Sequence, residues 1–480
     1  MSTANRKTTL SRTILKAMGL FGGTQVASIL CSIVRTKLVA IWIGPAGMGL
    51  FALFNNAIEM IASFSSLGIR NSSVRDMAIA SESGDTDRFN RTILAIRRWS
   101  WLISVFGAVI TLALAPTLSR TTFGDTSRTW DFMLLASVLM FNGLTNGELA
   151  ILQGSALLKR MAKASLWGTF SGLAISIPLF YFWRDHGIIP SIIAYALMNL
   201  LFATAFRSKG HLRPRMSAKE TWDCGKDFMR LGIYMTVSMF ITLLFSYAFS
   251  AFLNRTSGTA EVGYYQAGFT LVTKYVGLVF TAIGMEYYPR LAKVHRSRLR
   301  LRAYVSQEMH IALLVITPIM LIFIICRELL IHILYSPDFI VIKEFISFAI
   351  IGTGLRAVSW CMSFVILAKG DGRIYLCTEL SSAATGFLLN IIFYHFWGLS
   401  GLGISYTAWY AVYCLIIGYV YIRRYKLSIG RNILLLAAAS TAVAMAVACL
   451  MDNGKTIAAA VITAATAILC LYRIYRTAKR

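Results

Sequence analysis

Residues 97–117 read RRWSWLISVFGAVITLALAPT, two arginines followed by nineteen residues without a charge. At 1.5 Å per residue, an α-helix of that length crosses the ~30 Å hydrocarbon core of a bilayer. Similar apolar runs recur along the 480 residues and are separated by short clusters of basic residues. The pattern therefore predicts a polytopic membrane protein.

The composition points the same way. The chain is 57% hydrophobic and 14% charged, whereas soluble domains average about 25% charged residues. Lys and Arg number 47 against 21 Asp and Glu, which gives a net charge of +26. The basic clusters lie at the ends of the apolar runs, where anionic lipids attract them. We therefore exclude a soluble enzyme and a nucleic-acid-binding protein, and expect membrane lipids to surround the chain.

Fourteen transmembrane helices are predicted, because exposed backbone in lipid must form its hydrogen bonds within the span. A membrane β-barrel would alternate polar and apolar residues in ~10-residue segments, and this chain does not. The predicted spans cover residues 18–43, 48–69, 99–117, 132–157, 165–183, 188–206, 229–253, 263–288, 309–327, 345–368, 374–397, 402–422, 432–450 and 456–475.

The basic residues also predict the orientation of these spans. With the N-terminus in the cytoplasm, and with Arg230, Arg327 and Arg473 at the span ends counted with the adjoining segments, 36 of the 47 Lys and Arg lie in cytoplasmic segments, seven in outer loops and four within spans. Such a bias is what the positive-inside rule requires. We therefore expect both termini to be cytoplasmic.

An internal repeat divides the spans. Residues 44–51 (GPAGMGLF) and 258–265 (GTAEVGYY) both read Gly-x-Ala-x-apolar-Gly, lie 214 residues apart and open a span on the outer side. Six helices separate them, so the repeats have the same orientation in the membrane. The expected organisation is an N-terminal lobe, a cytoplasmic linker, a C-terminal lobe, and two appended helices with a cytoplasmic tail, at residues 1–206, 207–228, 229–425 and 426–480.

No enzyme motif stands out. The chain has no P-loop, its six histidines lack metal-ligand spacing, and its outer loops are short. These features favour a protein that moves a substrate over one that reacts with it. A membrane glycan polymerase or ligase is one alternative, and it would depend on outer residues such as Arg120, Arg128 and His186. A drug or cation antiporter is another, and it would need an acidic cavity.

Ionisable residues within the spans are the main candidates for function. Each costs roughly 2.5–3.5 kcal/mol at a helix centre, so it should face a cavity or a partner. The alternative is that these residues pair with one another as buried ion bridges. They are Arg35, Lys37, Glu59, Glu148, Lys274, Glu286, Arg356 and Glu379.

The acidic members of this set suggest ion coupling. A desolvated carboxylate can titrate near neutrality, which makes Glu59 and Glu148 candidates for coupling to H⁺ or Na⁺. Glu286 and Glu379 lie close to the inner ends of their spans, where they can reach water.

Amides flank these acids at helical spacing. Asn55 and Glu59 are four residues apart, and Asn142 and Asn146 repeat that spacing. These amides either line a hydrated cavity or hydrogen-bond neighbouring helices.

Short motifs on this topology resemble those of a known family. They are RTKLVA at 35–40 running into GPAGMGL at 44–50, YPRL at 288–291, SPDF at 336–339, GLR at 354–356, AK at 368–369 and TE at 378–379. In this order, residues 15–424 resemble the O-antigen and lipid-linked oligosaccharide flippases. These flippases belong to the multidrug, oligosaccharidyl-lipid and polysaccharide exporter superfamily.

The resemblance implies an all-α protein in which two pseudo-symmetric six-helix bundles form a V around a central cationic cavity. It also implies translocation of an undecaprenyl-diphosphate-linked oligosaccharide from the cytoplasmic to the periplasmic leaflet of a bacterial inner membrane by alternating access. Lys37 and Arg356 match basic positions of the family and would bind the diphosphate, with Arg35 and Lys274 as weaker candidates. No metal or cofactor is implied beyond the coupling ion, and a polysaccharide polymerase is an expected partner. The last two of the fourteen helices depart from the twelve-helix pattern of the close relatives.

Overall fold

The computed structural model describes residues 23–24, 26–66, 69–82, 85–208, 217–294 and 296–478. All regular structure in these ranges is helical. The helices up to residue 257 are α1 (26–42), α2 (Gly44–Ser66), α3 (Ile69–Glu82), α4 (Thr86–Phe123), α5 (Thr129–Gly154), α6 (Leu158–Trp183), α7 (Ile188–Ala205) and α8 (Ala218–Ser257).

The remaining helices include two π-helical segments, Leu271–Tyr275 and Val420–Arg424. The α-helices are α9 (Thr259–Thr270), α10 (Gly277–Val294), α11 (Arg298–Ile325), α12 (Arg327–Leu334), α13 (Lys343–Lys369), α14 (Gly372–Tyr419), α15 (Arg431–Asp452) and α16 (Thr456–Ala478). Gly398, with φ 56° and ψ −139°, divides α14 into two helical halves.

The prediction of fourteen membrane helices is confirmed in helix number, and residues 18–22 and 25 of the first predicted span lie outside the described residues. Ten helical stretches in the described ranges are long and apolar enough to cross a membrane. Two of them, Leu158–Ala205 and Gly372–Arg424, each contain a pair of helices. Two further membrane helices bring the number to fourteen: α1, and the segment formed by α9 and α10 with the π-helical turn between them.

Several helices extend past the predicted ends of their spans because polar caps hold the additional turns. Asp85 begins α4 by accepting hydrogen bonds from the backbone N–H groups of Asp87 and Arg88, at 2.9 and 3.1 Å. Ser217 and Glu220 form a reciprocal capping box at the start of α8. The helix α3 was not predicted as an element, because its sequence is polar rather than apolar.

The contacts within the chain form two compact units, one up to Ala260 and the other from Glu261 onwards. In the first unit, α8 packs against α2 and α4. In the second, α15 packs against α11 and α13, and α16 packs against α11. The lobe boundaries expected from the sequence stay a prediction, with α8 beginning inside the segment expected as a linker.

Backbone geometry confirms the internal repeat. Gly44 and Gly258, the first residues of the two repeated motifs, have φ angles of 80° and 88°. Arg184 and Gly398 are again 214 residues apart, and both have positive φ, 43° and 56°. These values lie in a region that L-residues other than glycine rarely occupy. The chain thus turns in the same way at matching positions of the two units.

The hairpin between the last two helices of each repeat is also shared. A Cβ atom on Gly187 would lie 2.1 Å from the carbonyl oxygen of Leu179, and one on Gly401 would lie 2.2 Å from that of Phe393. Both pairs keep the 214-residue offset. Glycine at these positions therefore allows two backbone segments to approach closely.

Candidate functional site

Arg35 is enclosed by aromatic side chains in the first unit. Its guanidinium carbon lies 4.8 Å from the ring centre of Phe51 on α2 and 4.4 Å from that of Tyr195 on α7. Its Nη2 donates to the backbone carbonyl of Ser191 at 3.3 Å. Only 9% of the residue is exposed, and Nε has no hydrogen-bond partner among the described residues.

Arg356 has a similar environment in the second unit. Its guanidinium carbon lies 5.1 Å from the ring centre of Phe280 on α10 and 5.8 Å from that of Tyr410 on α14. Its Nη1 donates to the hydroxyl oxygen of Tyr406 at 3.2 Å. Arg356 is half-buried rather than enclosed. Aromatic faces stabilise such a cation without neutralising it.

Lys37 and Lys274 have more open positions. Lys37 is half-buried on α1, and Lys274 is exposed in the first π-helical segment. Single π-helical turns inside α-helices frequently mark functional sites. In the described ranges, neither lysine has a carboxylate partner.

Two of the acidic span residues are ion-paired. Glu148 accepts two hydrogen bonds from Arg97, from Nε at 2.7 Å and from Nη2 at 3.0 Å. The same Nη2 donates to the carbonyl of Ser208 at 3.0 Å. Glu286 pairs with Arg290 one turn further along α10. Glu148 thus forms a partly buried bridge between two helices, with a partner from outside the predicted set, whereas the Glu286–Arg290 pair is exposed and lies within one helix.

The other two acids have no cationic partner in the described part of the chain. Glu59 is exposed on α2. Glu379 is half-buried and accepts a hydrogen bond from the hydroxyl of Tyr413 at 2.6 Å. The ion-pair alternative consequently accounts for none of the four basic residues within the spans.

Of the three predicted amides, Asn55 hydrogen-bonds within its own helix, and Asn142 and Asn146 are partly or fully exposed. Asn55 donates to the carbonyl of Phe51 at 2.7 Å, a bond within α2. Asn142 is half-buried, and the repeat offset of 214 places it where the second unit has Arg356. Asn146 is exposed and lines a cleft of about 50 Å³ together with Ser100.

The sequence did not predict the side chains that surround the arginines. Tyr406, Tyr410 and Tyr413 follow one face of the second half of α14 at spacings of four and three residues. Their ring centres lie 4.8 Å apart for the first pair and 6.4 Å apart for the second. The spacing was a visible signal, although helical aromatic stripes are also common in helix packing. We call these three residues the tyrosine ladder.

Four basic residues thus lie within predicted spans without a carboxylate partner among the described residues. A desolvated cation is costly unless a counter-charge or water reaches it. An anionic ligand would supply that counter-charge, and guanidinium and ammonium groups bind phosphate oxygens by charge-assisted hydrogen bonds. Within each unit, these basic residues are therefore suited to contact an anion such as a phosphate or diphosphate.

Solved structures show which class of protein has this fold. "Lipid II flippase MurJ, inward closed conformation" aligns with a TM-score of 0.72 and 13% identity, over 96% of this chain and 100% of that one. An inward-facing "multidrug resistance MATE family transporter of the MOP superfamily" aligns with a TM-score of 0.68 and 14% identity, over 85% and 95%. The protein is a multi-pass membrane protein with the fold of the MOP-superfamily transporters.

The sequence itself identifies the family. A family model described as "Polysaccharide biosynthesis protein" matches residues 38–344, so this chain belongs to that family. Proteins named "Lipid III flippase" from Escherichia coli (strain K12) and Shigella flexneri are each 22% identical over 390 residues, which cover 78% of this chain and 90% of theirs. The predicted family resemblance is confirmed, and its relatives are flippases and transporters rather than enzymes.

Proposed function

We propose that this protein is a flippase that moves a polyprenyl-diphosphate-linked oligosaccharide from the cytoplasmic to the outer leaflet of a bacterial inner membrane. One observation carries the proposal. Four basic residues lie within spans, and in the described part of the chain no carboxylate pairs with any of them. The names of the relatives support a lipid-linked substrate.

Each unit contributes its own candidates for contacting a diphosphate, Arg35 and Lys37 in the first unit and Lys274 and Arg356 in the second. Arg356 is half-buried, and its planar guanidinium can bind two phosphate oxygens at once. Lys37 and Lys274 provide point charges from more open positions. Arg35 is enclosed by Phe51 and Tyr195, so it acts chiefly through its positive potential.

The transported glycan is an O-antigen repeat unit or a related surface polysaccharide unit, and transport proceeds by alternating access. Because the sequence has no P-loop for nucleotide hydrolysis, either an ion gradient or removal of the product outside drives the cycle, and we propose the ion gradient. Glu59 stays a coupling candidate. Glu148 pairs with Arg97, which favours a structural role for Glu148. A polysaccharide polymerase would consume the product outside. In this proposal, both termini of the chain lie in the cytoplasm.

The test is made in a strain that lacks this gene. Polyprenyl-diphosphate glycans are extracted, identified by mass spectrometry and tested for labelling from outside in spheroplasts. The proposal expects complete repeat units that accumulate and are shielded from the external label. Complementation with Arg356→Ala should leave that accumulation unchanged, and Arg356→Lys should restore transport only in part.

A matched control separates the alternatives. The triple variant Arg120→Ala, Arg128→Ala, His186→Ala changes outer residues and should restore transport nearly as well as the unaltered protein. Complete units that are labelled from outside but remain unpolymerised would indicate a polymerase. No change in any lipid-linked glycan would indicate an antiporter instead.

A further inference from the structure

Glu379 differs from the other acids within the spans. It lies in the first half of α14, is half-buried, and accepts a hydrogen bond from Tyr413 at 2.6 Å. Glu148 and Glu286 have arginine partners, and Glu59 is exposed. In the described ranges, Glu379 is therefore the partly enclosed span carboxylate that no cation neutralises.

The tyrosine ladder connects this carboxylate with a proposed substrate-binding cation. Tyr413 bonds Glu379, and the ring centre of Tyr410 lies 6.4 Å from that of Tyr413. The ring centre of Tyr406 follows at 4.8 Å from that of Tyr410, and its hydroxyl accepts a hydrogen bond from Arg356 at 3.2 Å. All of these residues belong to the second unit, so a change at either end can alter the contacts of the other.

The oxygen atoms around Glu379 suit a proton better than a metal ion. Hard cations such as Ca²⁺ and Mg²⁺ take six or more oxygen ligands, and no cluster of three His, Cys, Asp or Glu occurs among the described residues. A proton needs a single carboxylate oxygen. The Glu379–Tyr413 pair supplies that oxygen and one phenol hydroxyl.

Other titratable groups lie on both halves of α14 and on the adjacent helix α13. Tyr375 lies one turn earlier on the same helical half, and Tyr410 and Tyr413 lie on the returning half of α14. The adjacent helix α13 carries Arg356 and Lys369. Of these groups, only Tyr413 hydrogen-bonds the carboxylate.

We propose that Glu379 is the carboxylate that takes up and releases one proton in each transport cycle. This inference rests on the proposed flippase function. The charged carboxylate accepts the hydrogen bond of Tyr413; water at one membrane face supplies a proton that makes it neutral, and water at the opposite face later receives that proton. Tyr413 remains a phenol throughout. Coupling between two sites is reciprocal, so anion binding at Arg356 changes the affinity of Glu379 for its proton.

The test uses the full-length protein in liposomes that contain a fluorescent polyprenyl-diphosphate oligosaccharide. A gradient of one pH unit is imposed, and the steady-state distribution of the lipid between the leaflets is measured. Coupling to one proton should shift that distribution by about tenfold, because one pH unit corresponds to a factor of ten in proton activity. Glu379→Gln should abolish the shift while the lipid still equilibrates between leaflets. Glu379→Asp should retain the shift.

Three outcomes would overturn the proposal. The lipid distribution could still shift with pH in Glu379→Gln, or a sodium gradient could shift it in place of the pH gradient. In the third outcome, the wild-type protein equilibrates the lipid without responding to pH. In the third case the flippase function would still stand. If no variant or wild-type protein moves the lipid, the proposed function itself is wrong. Glu286→Gln, at an exposed acid that pairs with Arg290 on the same helix, is the matched control and should keep the tenfold shift.

A second variant tests the hydrogen bond and does not remove the carboxylate. Tyr413→Phe removes the donor that stabilises the charged form, so Glu379 should hold its proton more tightly. The pH at which transport is half-maximal should therefore rise. An unchanged midpoint would contradict the assignment.

Discussion

The Arg97–Glu148 pair shows how a charge within a span can serve structure rather than transport. The carboxylate is 10% exposed and receives two hydrogen bonds from a guanidinium that also bonds a backbone carbonyl. Removing one partner of such a pair leaves the other charge poorly solvated.

We therefore expect Glu148→Gln to destabilise the protein. Because Arg97 is 30% exposed, water can partly solvate it, and the cost should be about 2 kcal/mol rather than the larger figure for fully buried pairs. The apparent Tm in detergent measures this effect. Glu59→Gln, at an exposed and unpaired site, is the control and should leave Tm unchanged. Equal Tm values for the two variants would show that the ion pair contributes nothing.

The candidate site could be predicted only in part at this scale. An Arg or Lys in an apolar run is visible in the sequence, and the family resemblance singled out Lys37 and Arg356 among such residues. Whether such a residue meets a carboxylate depends on which helix faces it, and hydropathy does not give that information. The sequence could not show that Glu148 pairs with Arg97, 51 residues away. Nor could it show that Arg356 lies between aromatic rings.

At the scale of the helices, each of the two repeated hairpins restricts one position to glycine. Gly187 and Gly401 each lie so close to a carbonyl oxygen that a Cβ atom would approach it within 2.1 and 2.2 Å. A backbone atom cannot move aside as the tip of a flexible side chain can. Both hairpins therefore require glycine at this position.

Gly187→Ala and Gly401→Ala should each destabilise the protein by at least about 2 kcal/mol, because overpacking forces the backbone to shift. The matched control is Gly418→Ala, since Gly418 is helical and has no atom within 4 Å of the added Cβ. That change should be neutral or stabilising by up to ~1 kcal/mol. Thermal unfolding of the three purified variants makes the comparison. If the two hairpin variants unfold at the same temperature as Gly418→Ala, the close backbone approach does not contribute to stability.

Helix number was predictable because each span needs a long apolar run. The helix α3 and the first π-helical segment were not, because both depend on information that hydropathy lacks. Polar residues dominate α3, and the π-helical turn at Leu271–Tyr275 lies inside an otherwise ordinary apolar run. The repeat could be inferred from Gly44 and Gly258, and the matching φ angles give its physical reason.

For the whole chain, the distribution of basic residues predicts a single topology. The predicted spans place 36 of the 47 Lys and Arg on one side, and moving such charges across the membrane is unfavourable. Alkaline phosphatase fused after residue 126, between α4 and α5, should be active outside the cytoplasm. A fluorescent protein fused after residue 480 should fold in the cytoplasm. Phosphatase activity from the C-terminal fusion would refute this topology.

The last two helices are an integral part of the second unit. Thr317 on α11 and Ser440 on α15 share a buried hydrogen bond of 2.7 Å. At the other end of α15, Asp452 accepts a hydrogen bond of 2.6 Å from Arg327, whose side chain is 3% exposed and also donates to Ser347. Since Arg327 begins α12, this contact joins an appended helix to the segment between α11 and α13.

Asp452→Ala should therefore destabilise the second unit, because it leaves a buried guanidinium with a hydroxyl as its remaining side-chain partner. Asp452 is 45% exposed, so water can replace part of the lost interaction and the cost should be about 2 kcal/mol. Lys455→Ala changes an exposed residue in the same turn and should leave the apparent Tm unchanged. If the two variants unfold at the same temperature, α15 does not stabilise this segment. A lower Tm for Asp452→Ala alone would mean that α15 stabilises the second unit through this contact.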